Sequence, residues 1–329
     1  MKVLSGEKVL LIAPAYHNYI SNIASAFESL GAKVESYKQD PASILFTNFY
    51  LIRLEKLPLY KYLYNREVIN NNRNILRSIN GKQFDHVVII KSDLLTESFL
   101  TKLRKSMPNA NFVMYQWDST NYYNYFHRIK YFNSVFSFDF ADCIKNRQIL
   151  YLPLFFSKDY SKIASVKDVQ YEYDLFFLGN NHTIRAKKLL EMIDFFEEKG
   201  LKYSINLKTS ISEKIKLGIN KHQINCFFNS LKFEEFSEKY LKSRAIIDIT
   251  PPAQTGLPMR IIEALGANKK IITTNQNIIK EEFYDPKMVF IWDKDNPEDL
   301  IDFLNQEYKS DCFEKFSIES FVLNLVKSR

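Results

Sequence analysis

Arg260 and Glu263 stand three residues apart, directly after the loop Gln254-Thr255-Gly256-Leu257-Pro258. On a helix that spacing lets both side chains project near the same side. A guanidinium there suits a phosphate, and a carboxylate suits ribose hydroxyls. An isolated Arg-x-x-Glu is commonly a surface ion pair contributing about 0.2–0.5 kcal/mol, but the surroundings argue for more. Residues 245–249 are a short apolar run, broken by Thr250, Pro251 and Pro252. Met259, Ile262, Leu265 and Ala267 then mark an apolar helix face, and 270–274 reads as the next strand. In such a β-loop-α-β unit the loop lies where open parallel sheets hold ligands. Gly256 permits positive φ or close backbone approach, Pro258 fits the first helical turn, and the free amides of the helix start favour an anion.

A second edge of the same kind follows the apolar run YDLFFL, where Gly179, Asn180, Asn181 and His182 precede a helix bearing Arg185. Three groups could act as a general base. His17 lies just beyond the first apolar run, in PAYHN, and neutral imidazole suits the task. Asp118 follows FVMYQW, and Asp93 ends HVVIIKSD. Asp139 reads better as a helix N-cap, and Asp174 as structural. Trp117, Tyr122, Tyr123 and Tyr125 crowd around Asp118. They could form a stacking platform for a sugar ring, or could pack into the core.

The elements that must position these groups alternate between strand and helix. In the first half, strands are expected at 8–13, 32–37, 86–90, 112–116, 134–138 and 149–152, with a helix at 19–30. A second series has strands at 173–178, 203–207, 245–249 and 271–274, with a helix at 183–199. Alternation of this kind predicts α/β architecture with parallel sheets, most economically two Rossmann-like halves with a cleft between them. Residues 154–170 read as the interdomain connection and 209–229 as a helical excursion. The aromatic, basic segment 44–64 reads either as an interfacial helix pair meeting anionic lipid or as aromatics packed over the sheet, with Pro58 interrupting any long amphipathic helix.

At 329 residues, with 46% hydrophobic and 25% charged residues, the chain is long enough for two domains and too apolar for disorder. Cys143, Cys226 and Cys312 have no CxxC spacing, and His17, His86, His127, His182 and His222 form no ligand pair. No structural metal is expected, and the cysteine usage suggests a reducing compartment. The apolar stretch 9–15 is too short to span a bilayer and makes a poor secretory signal. A net charge of +7 favours anionic partners. The basic residues are dispersed, so nucleic acid is not expected among them.

The segment SRAIIDITPPAQTGLPMRIIEALGANKKIITTN, with YDLFFLGNNHTIRAKKL at 173–189, QWDS at 116–119 and FSFDFAD at 136–142, resembles the bacterial GT-B glycosyltransferases of surface-polysaccharide and lipopolysaccharide synthesis, including the CgeB-like group. These segments span about half the chain. The resemblance implies two Rossmann-like domains facing each other across a cleft: 1–155 on the acceptor side, 156–310 binding the nucleotide sugar, and 311–329 a helix packing back on the first. It implies Glu263 on the donor ribose and Gly256 to Arg260, Leu257 included, at the diphosphate.

Gln254, Thr255, Gly179 and Asn181 then complete the donor site, and Arg185 becomes the first candidate for the departing diphosphate, its alternative being a helix-surface cation. The catalytic candidates are His17, Asp118 and Asp93, and Trp117, Tyr122 and Tyr123 would meet the acceptor. Many retaining members carry a second Glu eight positions before the ribose Glu. Here that position is Thr255, which leaves the stereochemical outcome open.

The expected activity is transfer of a sugar from a nucleotide diphosphate or monophosphate to a surface glycan or lipid-linked acceptor, without metal or resident cofactor. The expected setting is cytoplasmic, with peripheral membrane contact. A nucleotide-sugar epimerase of the same fold and a non-catalytic glycan- or nucleotide-binding subunit are the alternatives.

Overall fold

The computed structural model describes residues 3–15, 18–40, 57–181, 184–216, 223–229, 231–308 and 313–327. The chain divides into two compact units, Met1–Pro153 with Ile318–Arg329, and Leu154–Ser317.

The first unit is a six-stranded parallel sheet in the order β2-β1-β3-β4-β5-β6. Its strands are β1 (Lys8–Ala13), β2 (Lys33–Lys38), β3 (His86–Ile90), β4 (Asn111–Gln116), β5 (Ser134–Ser137) and β6 (Ile149–Tyr151). β3 and β4 are buried at every position, as strands covered on both faces must be. Helices α1 (Tyr19–Ser29), α2 (Pro58–Ser78), α3 (Glu97–Ser106) and α4 (Phe140–Lys145) connect them. Thr96 caps α3 by accepting from the Phe99 N–H, and Asp139 caps α4 by accepting from the N–H groups of Ala141 and Asp142.

The second unit opens with α5 (Lys158–Ser165) and continues with β7 (Tyr173–Asn180), α6 (Arg185–Glu198), β8 (Tyr203–Lys208), α7 (Ile211–Lys216) and β9 (Asn225–Phe227). It then runs through α8 (Phe233–Leu241), β10 (Ser243–Asp248), α9 (Met259–Gly266), β11 (Lys270–Thr273), β12 (Val289–Ile291) and α10 (Leu300–Asn305). Its sheet is also parallel, ordered β12-β11-β10-β7-β8-β9. Counted within the unit, that is the 3-2-1-4-5-6 Rossmann order read from the other edge.

Ile318–Lys327, the last helix (α11), belongs to the first unit. Ile318, Phe321, Val322, Leu325 and Val326 are buried, which is one helical stripe. Phe321 meets Tyr115 of β4 edge-on at 4.8 Å, and the Asn111 side-chain amide donates to the Val326 carbonyl at 3.4 Å.

Several expectations change. Residues 154–170 are more than a connection: Leu154, Phe155 and Phe156 are buried, and α5 packs against α9. Pro58 opens the 21-residue α2, because a helix start has no use for the N–H that proline lacks. In the segment 44–64, residues 44–56 lie outside the described residues. β7 runs on through Gly179 and Asn180, paired with Leu207 and Lys208, so Gly179 ends a strand instead of opening a loop. Of the segment 209–229, the described part holds α7 and β9. No helix among the described residues is long and apolar enough to cross a membrane.

Candidate functional site

In each sheet the strand order reverses once, and the carboxyl ends flanking that reversal form the natural ligand crevice of an open α/β sheet. In the second unit the reversal lies between β7 and β10, where Gly179, Asp248, Arg185 and Arg260 meet. Arg260 projects from the first turn of α9. Its Nε donates to the Leu178 carbonyl of β7 at 3.0 Å, and its Nη1 pairs with Asp248 Oδ1 of β10 at 2.8 Å. The guanidinium lies 4.8 Å from the centre of the Phe177 ring, a cation–π geometry. The Asp248 side chain is only 1% exposed, and its other oxygen accepts from the hydroxyls of Thr250 at 2.6 Å and Thr273 at 3.1 Å. A buried carboxylate satisfied on both oxygens holds the arginine in one place.

Arg185 makes the second bridge across the same gap. Its Nε and Nη2 donate to the Ile249 carbonyl at 3.3 and 3.0 Å, and its Nη1 to the Asn180 carbonyl at 2.5 Å. The side chain expected at a departing diphosphate is therefore buried and engaged with the two strand ends. Asn181, just beyond β7, donates its backbone N–H to the Lys208 carbonyl at 2.8 Å.

The loop before α9 is held by its own polar groups. The Gly256 carbonyl accepts from Gln254 Nε2 at 2.9 Å and from Asn275 Nδ2 at 3.1 Å, and Leu257 is buried beneath. Gly256 does not use positive φ, and Pro258 is the cap before Met259, not part of the first turn. Thr255 and Glu263 are half-buried. The buried Tyr240 hydroxyl has no hydrogen-bond partner and feels both Glu263 and Arg260. Burial, and then the charge of Glu263, push its pKa well up, while Arg260 opposes.

In the first unit the reversal lies between β1 and β3. His17, the candidate beyond β1, lies outside the described residues, as does His182. Beyond β3, Asp93 and Asp118 are brought together by a residue that the sequence did not single out. Lys91 Nζ lies 2.6 Å from Asp118 Oδ2 and 3.4 Å from Asp93 Oδ2. β3 and β4 are neighbours in register, Ile90 opposite Tyr115, which sets the two strand ends side by side. Burial raises the Asp93 pKa above the usual carboxylate range; Lys91 opposes and Asp118 adds to the rise. Ser92 Oγ, Asp93 Oδ1, both polar atoms of the Gln116 amide and Ser119 Oγ are buried at these strand ends without hydrogen-bond partners. Among the described residues, no group of three or more His, Cys, Asp and Glu side chains converges as metal ligands.

The aromatic candidates separate. Trp117 packs on Tyr19 at 5.1 Å and Tyr115 at 6.5 Å, and Tyr123 lies 5.4 Å from the guanidinium carbon of Arg128. Tyr122 is exposed. Tyr125 is core, its hydroxyl donating to Asp142 at 3.0 Å. A groove lined by Lys8, Lys33, Glu35 and Lys82 sits at the amino ends of β1 and β2, the end of the sheet away from these residues.

No family model matches the sequence, and neither does any curated protein. Solved structures do match over nearly the whole chain. An α-glucosyltransferase in complex with UDP and a 13-mer DNA aligns with a TM-score of 0.56 at 14% identity, covering 90% of this chain and 88% of its own. A glycosyltransferase of avilamycin A biosynthesis aligns with a TM-score of 0.58 at 12% identity, covering 97% and 92%. A protein of Listeria monocytogenes assigned as a UDP-N-acetylglucosamine 2-epimerase aligns with a TM-score of 0.53 at 9% identity, covering 99% and 95%. The fold is GT-B. At these identities the likeness concerns the fold alone.

Sequence reading missed Asp248, Lys91, Tyr240 and Gln116. Asp248 closes an apolar strand just before the Thr-Pro-Pro break, so its position at a strand end was a usable signal. Nothing local distinguishes Lys91.

Proposed function

We propose that the chain transfers a sugar from a nucleotide-activated donor to a hydroxyl of a glycan or lipid-linked acceptor in surface-polysaccharide, capsule or lipopolysaccharide synthesis. The observation that carries this reading is Arg260, held by Asp248 and the Leu178 carbonyl at the strand-order reversal of the second unit. A cation fixed there, at the start of α9, is prepared for a diphosphate, and electrostatic preorganisation of this kind stabilises a departing anionic group. Gly179 leaves room for it, Gln254, Thr255, Gly256 and Leu257 form the loop beside it, and Arg185 and Asn181 fix the strand end. Glu263, one helical turn beyond Arg260, takes the ribose hydroxyls.

Proton transfer from the acceptor falls to the carboxylates of the first unit, Asp93 and Asp118, with His17 the other candidate. Trp117, Tyr122 and Tyr123 are the acceptor-side aromatics. No metal enters the proposed step. Exposed Leu59 and Tyr62 beside exposed Lys61, at the start of α2, support peripheral contact with an anionic membrane on the cytoplasmic side.

Calorimetry with a panel of nucleotide diphosphates on the wild type and on Glu263→Ala tests the donor site. Binding weakened about tenfold or more by the substitution supports it; no binding, or unchanged binding, overturns the ribose assignment. Because the fold is also that of a protein assigned as an epimerase, incubation with nucleotide sugar alone is the second arm. Product formed without any acceptor would favour epimerisation. Glycan, lipid-linked and DNA acceptors offered in parallel would identify the acceptor class.

A further inference from the structure

Two carboxylates at one strand edge leave open which of them is the base, and the geometry around Lys91 separates them. Lys91 is one of three non-glycine residues with positive φ among the described residues, at +57°. That region is unfavourable for an L-residue, and a β-strand ending in a lysine has no intrinsic need of it. The conformation is tied down by the Lys91 N–H, which donates to the Tyr115 carbonyl of β4 at 2.8 Å. Its consequence is that the ammonium, 13% exposed, lies between Asp118 and Asp93.

The two contacts differ. Asp118, 40% exposed, closes on Nζ at 2.6 Å, whereas Asp93, 23% exposed, stands off at 3.4 Å. Asp93 also keeps a buried oxygen, Oδ1, that no group pairs with, next to the unpartnered Ser92 hydroxyl. A buried acceptor left unpaired is destabilising, and a ligand hydroxyl would satisfy it. Other groups near Asp93 are Tyr123, which its charge affects, and Arg128, whose guanidinium is committed to the carbonyls of Ser92 and Leu95.

We infer that Lys91 is a positioning residue that divides the labour: it fixes Asp93 as the base, with Oδ1 free for the acceptor hydroxyl, and uses Asp118 as its own anchor. The inference rests on the glycosyl-transfer reading. In the step it serves, the acceptor oxygen bonds to the anomeric carbon of a nucleotide-diphosphate sugar, and its proton passes to Asp93. The bond from that carbon to the diphosphate breaks, and the diphosphate leaves with the electron pair.

The test compares Asp93→Asn, Asp118→Asn, Lys91→Met and Lys91→Arg in two measurements. The first is the pH profile of transfer. Asp93→Asn is expected to lower kcat by about 100-fold or more. Asp118→Asn keeps transfer within about tenfold and moves the acid limb down, because Asp93 loses a like charge and gains the whole of Lys91. Lys91→Met moves that limb up, because Asp93 loses the neighbouring cation, and Lys91→Arg restores it. The second measurement is the titration of the Asp93 carboxyl carbon by NMR in the unliganded protein, where the same shifts are expected without any turnover.

Loss of transfer in Asp118→Asn as complete as in Asp93→Asn would overturn the inference. So would an Asp93 titration that Lys91→Met leaves unmoved. If the wild type turns over no nucleotide sugar, the transfer reading fails by itself, and the carboxyl titration still decides the role of Lys91.

Discussion

The Arg260 guanidinium occupies the space that a side chain at Gly179 would need: a Cβ built on Gly179 would stand 2.5 Å from Arg260 Nη2 and 3.0 Å from the Phe177 ring. The glycine at the end of β7 is thus a condition for the placement of the arginine on α9, 81 residues later in the chain.

Gly179→Ala is therefore expected to displace Arg260 while leaving the sheet intact, since the Gly179 φ is not in the left-handed region. Affinity for nucleotide diphosphates should fall about tenfold, the loss of one charge-assisted contact of about 1.5 kcal/mol. Calorimetry beside a thermal melt checks it. An unchanged affinity would detach Arg260 from the donor.

Asp248→Asn removes the counter-charge of a half-buried guanidinium and leaves the Thr250 and Thr273 hydroxyls with a weaker partner. Breaking a buried ion pair from one side costs about 3–5 kcal/mol. A value nearer the lower end is expected, because Arg260 keeps its bond to the Leu178 carbonyl. Urea denaturation measures the loss, and a change under about 1 kcal/mol would mean that the pair contributes little.

Gly266→Ala tests how α9 packs. A Cβ at Gly266 would fall 2.2–2.6 Å from the Phe156 ring, whose side chain is buried. Alanine is the better helix former by about 1 kcal/mol, but overpacking costs about 1–3 kcal/mol. Net destabilisation is expected, and in a double-mutant cycle with Phe156→Leu the combined loss should be smaller than the sum. Simple additivity would show that the ring moves aside.

Lys269 and Lys270 carry a pH signature. Both are buried at the start of β11, and burial lowers both pKa values to about 8. Lys269 Nζ still donates to the carbonyls of Leu241 and Ser243. With the folded pKa below the unfolded one, the unfolded chain binds more protons above pH 8. Stability should then rise with pH from about 8 until the tyrosines of the unfolded chain begin to ionise near 10. Each lysine contributes at most about 1.4 kcal/mol per pH unit. Urea midpoints between pH 7.5 and 9.5 should climb in the wild type and climb less in Lys269→Met.

Much of the architecture was legible locally. Apolar runs marked ten of the twelve strands among the described residues, because parallel strands covered on both faces read as continuous apolar segments. Gly179, Arg260 and Glu263 were visible as types at meaningful spacings. What local pattern could not carry was partnership. Arg260 reaches the Leu178 carbonyl because β7 and β10 are adjacent across the strand-order reversal, and Lys91 joins Asp93 to Asp118 because β3 and β4 lie side by side. Arg185, which reads as a surface cation or a phosphate ligand, is buried between two strand ends for the same reason.

By itself, then, the sequence determined which segments become strands and helices and which kinds of chemistry stand at their ends, since both follow from periodicity and residue type. Strand order, and with it every pairing between residues far apart in the chain, was decided only in the tertiary structure. There one buried surface must close on another, and each buried polar group must find its partner across the sheet.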